Sequence, residues 1–181
     1  GAEHTCLLLE GGRVKCLGRN DDGQLGLGDN AARNSPEQLG DALPYLALPE
    51  PATALYSGTD HSCVVGQSGR VFCWGANTFG QLGIGLIGDR GDAPEHLGPE
   101  MPHTRLPEGL VVADLCLGSQ HTCALDTAGT IRCWGANGRG QLGYADRIAR
   151  GGSAETMGEA LAAVDLGAGV TATDVVCGKL H

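Results

Sequence analysis

One segment recurs along the chain, and this internal repeat constrains the fold more than any other feature of the sequence. His61 follows His4 by 57 residues, His121 follows His61 by 60, and each histidine is followed by a small residue and a cysteine. Residues 178–181 begin a further copy. The repeat predicts an array of similar structural units, which we divide at residues 1–57, 58–117 and 118–177, with 178–181 opening the next unit.

Each unit carries the signals of short β-strands. After Gly-x-x-His, two runs of apolar and β-branched residues flank a turn that contains glycine, which predicts a β-hairpin. The motif Gly-Gln-Leu-Gly, as at 80–83, then predicts a further short strand, and another apolar run precedes each histidine, most clearly at 110–117 and 170–177. About four strands per unit match a propeller blade, so the sequence predicts an all-β fold.

The segments between the hairpins also align with one another, at residues 36–40, 94–98 and 154–158. The region 153–164 alone could form a short helix capped by Ser153. Its two sister segments contain prolines, so we expect ordered extended loops. Glycines at a fixed position in the repeat predict backbone angles or close strand approach rather than ligand binding. These structural positions include Gly26, Gly83 and Gly143.

Together these motifs resemble the repeats of a known family. Gly-x-x-His-[Thr/Ser]-Cys, Gly-x-[Val/Ile]-x-Cys-Trp-Gly-Ala-Asn and Gly-Gln-Leu-Gly are similar in order and spacing to the repeats of the regulator of chromosome condensation family. The resemblance implies a propeller of four-stranded blades, usually seven, around a central channel. An arc of three repeats leaves two apolar blade faces open. We expect further blades of a longer chain to cover them, or other copies associated head to tail.

Six of the eight cysteines form three pairs with the same separation of ten residues. Across each predicted hairpin the two cysteines face each other, which favours disulfides worth roughly 3 kcal/mol each in the chain-entropy model. Reduced cysteines packed between blades are the alternative, whereas the spacing is too wide for a typical metal site. Disulfides predict a secreted or extracellular location. The pairs are Cys6 with Cys16, Cys63 with Cys73, and Cys123 with Cys133.

The two remaining cysteines, Cys116 and Cys177, have no partner at the same position of the repeat. They are either free or paired with further chain.

The repeated histidines and tryptophans are interpreted as structural positions. A functional reading makes His4, His61 and His121 a ring of ligands or acid–base groups. Their repetition favours instead a hydrogen bond that fixes the inner turn of each blade, because buried polar groups are normally paired. Trp74 and Trp134 occupy equivalent positions, where the first repeat has Leu17.

Two loop motifs suggest binding sites. Arg90-Gly91-Asp92 suggests adhesion to an integrin-type receptor, although its sister segment at 150–152 favours ordinary loop chemistry, and short motifs match often by chance. The acidic residues of 20–23 and 89–92 could offer oxygens to calcium, but neither segment matches a full calcium-binding loop.

Charge and motif content disfavour several classes of function. The chain has a formal net charge of −9, which disfavours nucleic acid as a direct partner because affinity for phosphates comes chiefly from Lys and Arg. No apolar run approaches the ~18 residues of a membrane-spanning helix, so we expect no membrane insertion. A nucleophile elbow, a phosphate loop and a His-Glu-x-x-His motif are all absent. We therefore expect no enzymatic activity, cofactor or metal.

The sequence favours a non-catalytic extracellular interaction or scaffold propeller that recognises a protein or carbohydrate, or that assembles into a surface fibre. The alternative is an intracellular regulator of a small GTPase, of the guanine-nucleotide exchange type, with reduced cysteines. The resemblance also extends to an ultraviolet-B photoreceptor that places tryptophan in the Gly-x-x-His stretch. This chain has Thr59-Asp60 and Ser119-Gln120 there, which disfavours light sensing.

Overall fold

The computed structural model describes all 181 residues, and its regular structure consists of β-strands and single-turn 3-10 helices. It contains no helix with the length and hydropathy needed to cross a membrane. The strands are β1 (His4–Leu9), β2 (Arg13–Gly18), β3 (Ala52–Ser57), β4 (His61–Gly66), β5 (Val71–Gly75), β6 (Val112–Leu117), β7 (His121–Asp126) and β8 (Ile131–Gly135). The prediction of an all-β fold is confirmed.

The strands form three antiparallel sheets, which we name blades 1, 2 and 3. Blade 1 contains β1 and β2, blade 2 contains β3, β4 and β5 in that order, and blade 3 contains β6, β7 and β8. Every residue of β4 and β5 is buried, because blade 2 is covered on both faces by its neighbours. This double burial explains why these strands read as continuous apolar runs without an alternating polar face.

The sequence predicts about four strands per blade, but the fourth strand is not seen in any blade. The Gly-Gln-Leu-Gly segments adopt turns, and blades 2 and 3 each have three named strands. The outer edge of blade 2 is followed instead by a short extended segment that makes a single bridge, from Phe72 to His103. The backbone N–H of Thr104 donates to the carbonyl of Val71 across 2.8 Å.

The connecting segments are more regular than the predicted extended loops. Each contains two consecutive 3-10 turns, Pro36–Gln38 with Gly40–Ala42, Pro94–His96 with Gly98–Glu100, and Ala154–Thr156 with Gly158–Ala160. Ser153 occupies the N-terminal cap position of its turn, but its side chain makes no capping hydrogen bond. Proline is accommodated at the start of the other two segments, as Pro36 and Pro94, because the first turn of a helix needs no N–H donor.

The strand predicted at 170–177 is also absent. No strand within the 181 residues pairs with this segment, and strand geometry depends on a hydrogen-bonded neighbour. The segment lies beside blade 3, where the N–H of Ala172 donates to the carbonyl of Gly129 across 2.9 Å, and just beyond it the N–H of Ser119 donates to the carbonyl of Lys179 across 2.9 Å.

The core lies in the two seams between neighbouring blades. The seam of blades 1 and 2 contains Val14, Leu25 and Trp74. The seam of blades 2 and 3 contains Leu82 and Trp134. A smaller cluster covers the other face of blade 3. Stability therefore comes chiefly from contacts between adjacent repeats, as in other repeat proteins.

Candidate interaction surface

The repeated histidines connect adjacent blades. His4 Nε2 lies 2.8 Å from Ser62 Oγ, and His61 Nε2 lies 2.9 Å from Thr122 Oγ1. In both cases the hydroxyl belongs to the next blade and directly follows that blade's own histidine. The predicted hydrogen bond thus exists, but it joins two blades and does not close a turn within one.

The hydrogen bonds around Thr122 fix the protonation of His61. The hydroxyl of Thr122 donates to the carbonyl of Gln81 across 2.9 Å, so it accepts from His61, whose Nε2 must carry the proton. Burial, reinforced by the neighbouring His121 and His4, lowers the pKa of His61 to about 3. Burial likewise lowers the pKa of His4 to about 4. Near pH 7 these two rings are neutral, and their Nε2 atoms are engaged in the seams.

The tryptophans use the Gly-Gln-Leu-Gly turn of the preceding blade. The indole N–H of Trp74 donates to the carbonyl of Gln24, and that of Trp134 donates to the carbonyl of Gln81, each across 2.9 Å. Gly83 has a φ of +66°, and a Cβ there would lie 2.6 Å from Nε1 of Trp134. The last glycine of the motif therefore satisfies a left-handed turn and also leaves space for the next indole.

The three repeated cysteine pairs face each other across the hairpins and are joined. Cys6 is in register with Cys16, Cys63 with Cys73, and Cys123 with Cys133. Their Cα atoms are 4.1 Å apart in every case, close to the ~4.5 Å of a non-hydrogen-bonded antiparallel pair.

Cys116 and Cys177 are joined to each other, which resolves the pairing that the sequence left open. Their Cα atoms are 5.3 Å apart and 61 residues apart in sequence. The bond ties the segment 170–177 to β6, so it acts between consecutive repeats, whereas the other three act within a hairpin. No cysteine of the chain is free.

The Arg-Gly-Asp motif is packed into a seam. The backbone of Arg90 bridges to Gly75, Gly91 is buried, and a Cβ there would lie 2.6 Å from the carbonyl oxygen of Gly23. The carboxylate of Asp92 contacts His96 Nδ1 at 2.8 Å. This geometry does not present the tripeptide as the exposed loop that adhesion requires.

The candidate calcium oxygens are used inside the loops. Asn20 donates to the carbonyl of Asp29 and accepts from the N–H of Leu25. The carboxylate of Asp89 accepts from the N–H of Asn77 across 2.8 Å. These side chains hold the loop that follows each hairpin, and the asparagines take the role of a local scaffold.

An acidic cluster surrounds Arg19, at the edge of the three blades where the loops after the hairpins meet the Gly-x-x-His turns. We call this edge the rim. The guanidinium of Arg19 lies 2.8 Å from Asp21, 3.5 Å from both Glu3 and Asp60, and 3.8 Å from Asp22. Four carboxylates thus share one cation. Burial, followed by repulsion from Asp60 and Asp89, raises the pKa of Asp22. The local excess of negative charge makes this part of the rim complementary to a basic surface.

Each blade also has on the rim a turn with the same hydrogen bond, but the residue that donates it has a different side chain in each blade. The N–H of Asp22, of Phe79 and of Arg139 each donates to the side-chain oxygen of the glutamine two residues later, across 2.9, 3.0 and 2.9 Å. Blade 1 thus presents an acid at this point, blade 2 an aromatic ring and blade 3 a base. The sequence pattern does not indicate this set, because the Gly-Gln-Leu-Gly motif predicts a strand where the structure has a turn.

Exposed apolar side chains lie beside the aromatic member of this set. Phe79 is 40% exposed and Ile87 is 65% exposed, and both line a shallow pocket of about 290 Å³ with Ala149 and Thr156 of blade 3. Aromatic and aliphatic anchors flanked by charge are typical of protein-binding surfaces.

Comparison with known proteins decides the family. The regulator of chromosome condensation (RCC1) repeat matches residues 1–24, 52–81 and 112–141 in one family model and 68–125 in a second. The chain belongs to the RCC1 repeat family. Its strands, disulfides and seam contacts therefore describe RCC1-type blades.

Two relatives illustrate the range of proteins with RCC1 repeats. The chain is 37% identical to the ultraviolet-B receptor UVR8 of Arabidopsis thaliana over 81% of its own length and 30% of the receptor. It is 35% identical to the human probable E3 ubiquitin-protein ligase HERC4 over 80% of its own length and 12% of that protein. The chain therefore spans less than a third of either relative.

The fold matches a solved structure. The crystal structure of Prp20p from Saccharomyces cerevisiae aligns with a TM-score of 0.61 at 23% sequence identity, covering 79% of this chain and 31% of Prp20p. This similarity shows that the blades have the RCC1 fold.

Proposed function

We propose that this RCC1-type chain is a non-catalytic, extracellular interaction module whose blades hold variable rim side chains in fixed positions for a protein or carbohydrate partner. The observation that carries the proposal is the shared rim turn, which presents Asp22, Phe79 and Arg139 from one backbone geometry. A rigid repeat with variable tips is suited to recognition, because little side-chain or loop freedom is lost on binding.

The disulfides support the extracellular part of the proposal. All eight cysteines are paired, and such bonds persist in oxidising compartments. The chain has few aromatic residues, 4% of the total, so cross-links compensate for a core with few large anchors.

The outer face of blade 1 carries exposed apolar side chains that a further protein surface would cover. Leu7 and Leu9 remain 43% and 36% exposed there. Further blades of a longer protein, or head-to-tail contacts with another copy, would cover this apolar face. A fibre built from such copies is a variant of the same proposal.

The extracellular part of the proposal is tested by unfolding the purified chain in urea with its disulfides intact and again after full reduction. The three hairpin bonds contribute roughly 3 kcal/mol each in the chain-entropy model, against a typical domain stability of about 5–15 kcal/mol. We expect reduction to abolish the cooperative transition. A reduced, thiol-alkylated chain that still unfolds cooperatively at a similar urea concentration would argue against an obligately oxidised protein.

A second candidate is a regulator of a small GTPase, which the acidic cluster around Arg19 favours because it could dock a basic partner surface. This function requires stability in a reducing compartment. The same unfolding experiment separates the two candidates, since only the GTPase regulator needs a reduced chain that remains folded.

A further inference from the structure

A groove on the outer side of the seam between blades 2 and 3 combines apolar and cationic side chains. Its volume is about 580 Å³, and its lining includes Ile84, Leu86, His103, Arg105, Leu106 and Gly158. None of its nine lining residues is acidic, although the chain as a whole has a net charge of −9. We name it the seam groove.

The apolar wall of the seam groove results from a substitution within the repeat. Asn20, Asn77 and Asn137 each donate to the carbonyl nine residues later, which belongs to Asp29 in blade 1, Leu86 in blade 2 and Asp146 in blade 3. The two aspartates pair with arginines four residues on. Blade 2 alone has an apolar residue at this position, and Leu86 is 55% exposed.

The cation of the groove is likewise specific to this seam. Gly98 N–H donates to the carbonyl of Ala47, and Gly158 N–H donates to that of Arg105, each across 2.8 Å, so Ala47 and Arg105 are equivalent. The stem of Arg105 lies over Gly85, where a Cβ would be 3.1 Å from Cδ. Its backbone is anchored on both sides, because its own N–H donates to the carbonyl of Gly83.

The positive charge beside the groove has no acidic partner within the chain. Arg105 makes no ion pair or side-chain hydrogen bond, and neither does Arg70, which lines the adjoining cavity with His103 and Glu108. The nearby carboxylate of Glu159 accepts from the backbone N–H of Glu108. Apart from Arg105 and His103, the residues that line the groove itself are apolar or glycine. An arginine left unpaired in an acidic protein, next to an exposed leucine, is complementary to a carboxylate next to an apolar side chain.

We infer that the seam groove binds an extended segment of a partner protein in which an acidic residue neighbours an apolar one. Arg105 holds the carboxylate, and Leu86 and the half-buried Leu106 contact the apolar side chain. This inference rests on the proposed role in protein interaction and specifies one surface for it. It does not depend on the compartment, so the disulfide experiment and the groove experiment fail independently.

The test uses the ¹⁵N-labelled chain titrated with the capped peptide acetyl-Leu-Glu-Leu-Glu-amide and followed by amide chemical shifts. We expect shifts concentrated at Ile84, Leu86, Arg105 and Gly158. The matched peptide acetyl-Leu-Gln-Leu-Gln-amide tests the carboxylate. It should bind roughly tenfold more weakly or worse, because a hydrogen bond to a charged group is worth about 1.5–3 kcal/mol.

The repeat itself supplies matched variants. Arg105→Ala installs the residue of the first seam, and Leu86→Asp installs the aspartate of the sister blades, so both are compatible with the fold. Each should weaken binding by roughly tenfold or more, whereas Arg13→Ala, at an exposed arginine of blade 1, should not change it. The inference is overturned if millimolar acidic peptide causes no shifts or shifts elsewhere, if the glutamine peptide binds equally well, or if Arg105→Ala binds as the parent does.

Discussion

His61 in blade 2 donates its Nε2–H to the hydroxyl of Thr122 in blade 3 across 2.9 Å. The equivalent bond joins His4 to Ser62 between blades 1 and 2. These bonds explain the repeated Gly-x-x-His motif as a connection between neighbouring blades. The glycine of the motif is required because its backbone packs against the histidine ring. A Cβ at Gly58 would lie 2.7 Å from the ring of His61.

Replacing Thr122 by valine should destabilise the chain. The valine keeps the shape but leaves the buried N–H of His61 without an acceptor and the carbonyl of Gln81 without one donor. We expect a loss of about 1–3 kcal/mol in the free energy of unfolding, measured in urea. Thr122→Ser should restore most of it, and Thr127→Val at an exposed hairpin turn is the control. Equal stability of Thr122→Val and the parent would refute the role of this bond.

Stability should fall as the pH is lowered below the ordinary histidine range. His61 has a pKa of about 3 in the folded chain and about 6.5 when unfolded, so below pH 6.5 the unfolded state binds more protons. This group therefore loses roughly 1.4 kcal/mol of stability per pH unit until the folded pKa is reached. Urea unfolding of the parent and of His61→Gln between pH 7 and 4 measures the difference, in which other titrating groups largely cancel. Identical pH slopes for the two proteins would contradict the assignment.

Two glycine substitutions should separate backbone strain from close packing. Gly40 and Gly83 have similar φ values, +63° and +66°, but a Cβ at Gly40 meets no atom within 4 Å, whereas one at Gly83 meets Trp134. Gly40→Ala should cost only the left-handed strain, about 1–2 kcal/mol. Gly83→Ala should cost a further amount of about 1–3 kcal/mol from overpacking. Thermal or urea unfolding measures both, and equal losses would show that the indole does not require this glycine.

Removing the bond between Cys116 and Cys177 should release the end of the chain without unfolding the blades. The segment 170–177 has no strand partner, and Val176 is 85% exposed, so few other contacts hold it. In Cys116→Ser/Cys177→Ser we expect faster hydrogen exchange at Ser119, whose N–H donates to Lys179. Cys6→Ser/Cys16→Ser should leave that amide unchanged. Unaltered protection of Ser119 in the first variant would show that the segment is held by other contacts.

The sequence predicts the hairpins and their cysteine pairs, because these features recur at a fixed spacing in every repeat. Two apolar runs around a glycine turn predict the hairpin, and a ten-residue separation places Cys63 opposite Cys73. The sequence does not indicate which blade supplies the partner of His61, because that depends on how blades stack. It also misassigns Gly80-Gln81-Leu82-Gly83, whose leucine is buried through a turn and not through a strand.

The candidate binding surfaces were the least predictable part. Phe79 and Leu86 look like ordinary apolar residues in the sequence, and only the shared loop hydrogen bonds show that they replace charged residues of the other blades. The Arg-Gly-Asp motif misleads in the opposite direction, since Gly91 is needed in the seam. The local sequence thus indicates the repeated blade structure, whereas the candidate binding surfaces depend on residues that differ between the repeats.

The most direct test of the account is mass spectrometry of the protein isolated from its natural source, with thiols alkylated before and after reduction. The account predicts no alkylation before reduction and eight alkylated cysteines afterwards, since all eight are paired. Free thiols at the six hairpin cysteines of the native protein would contradict an oxidising compartment. They would leave the regulator of a small GTPase as the better explanation.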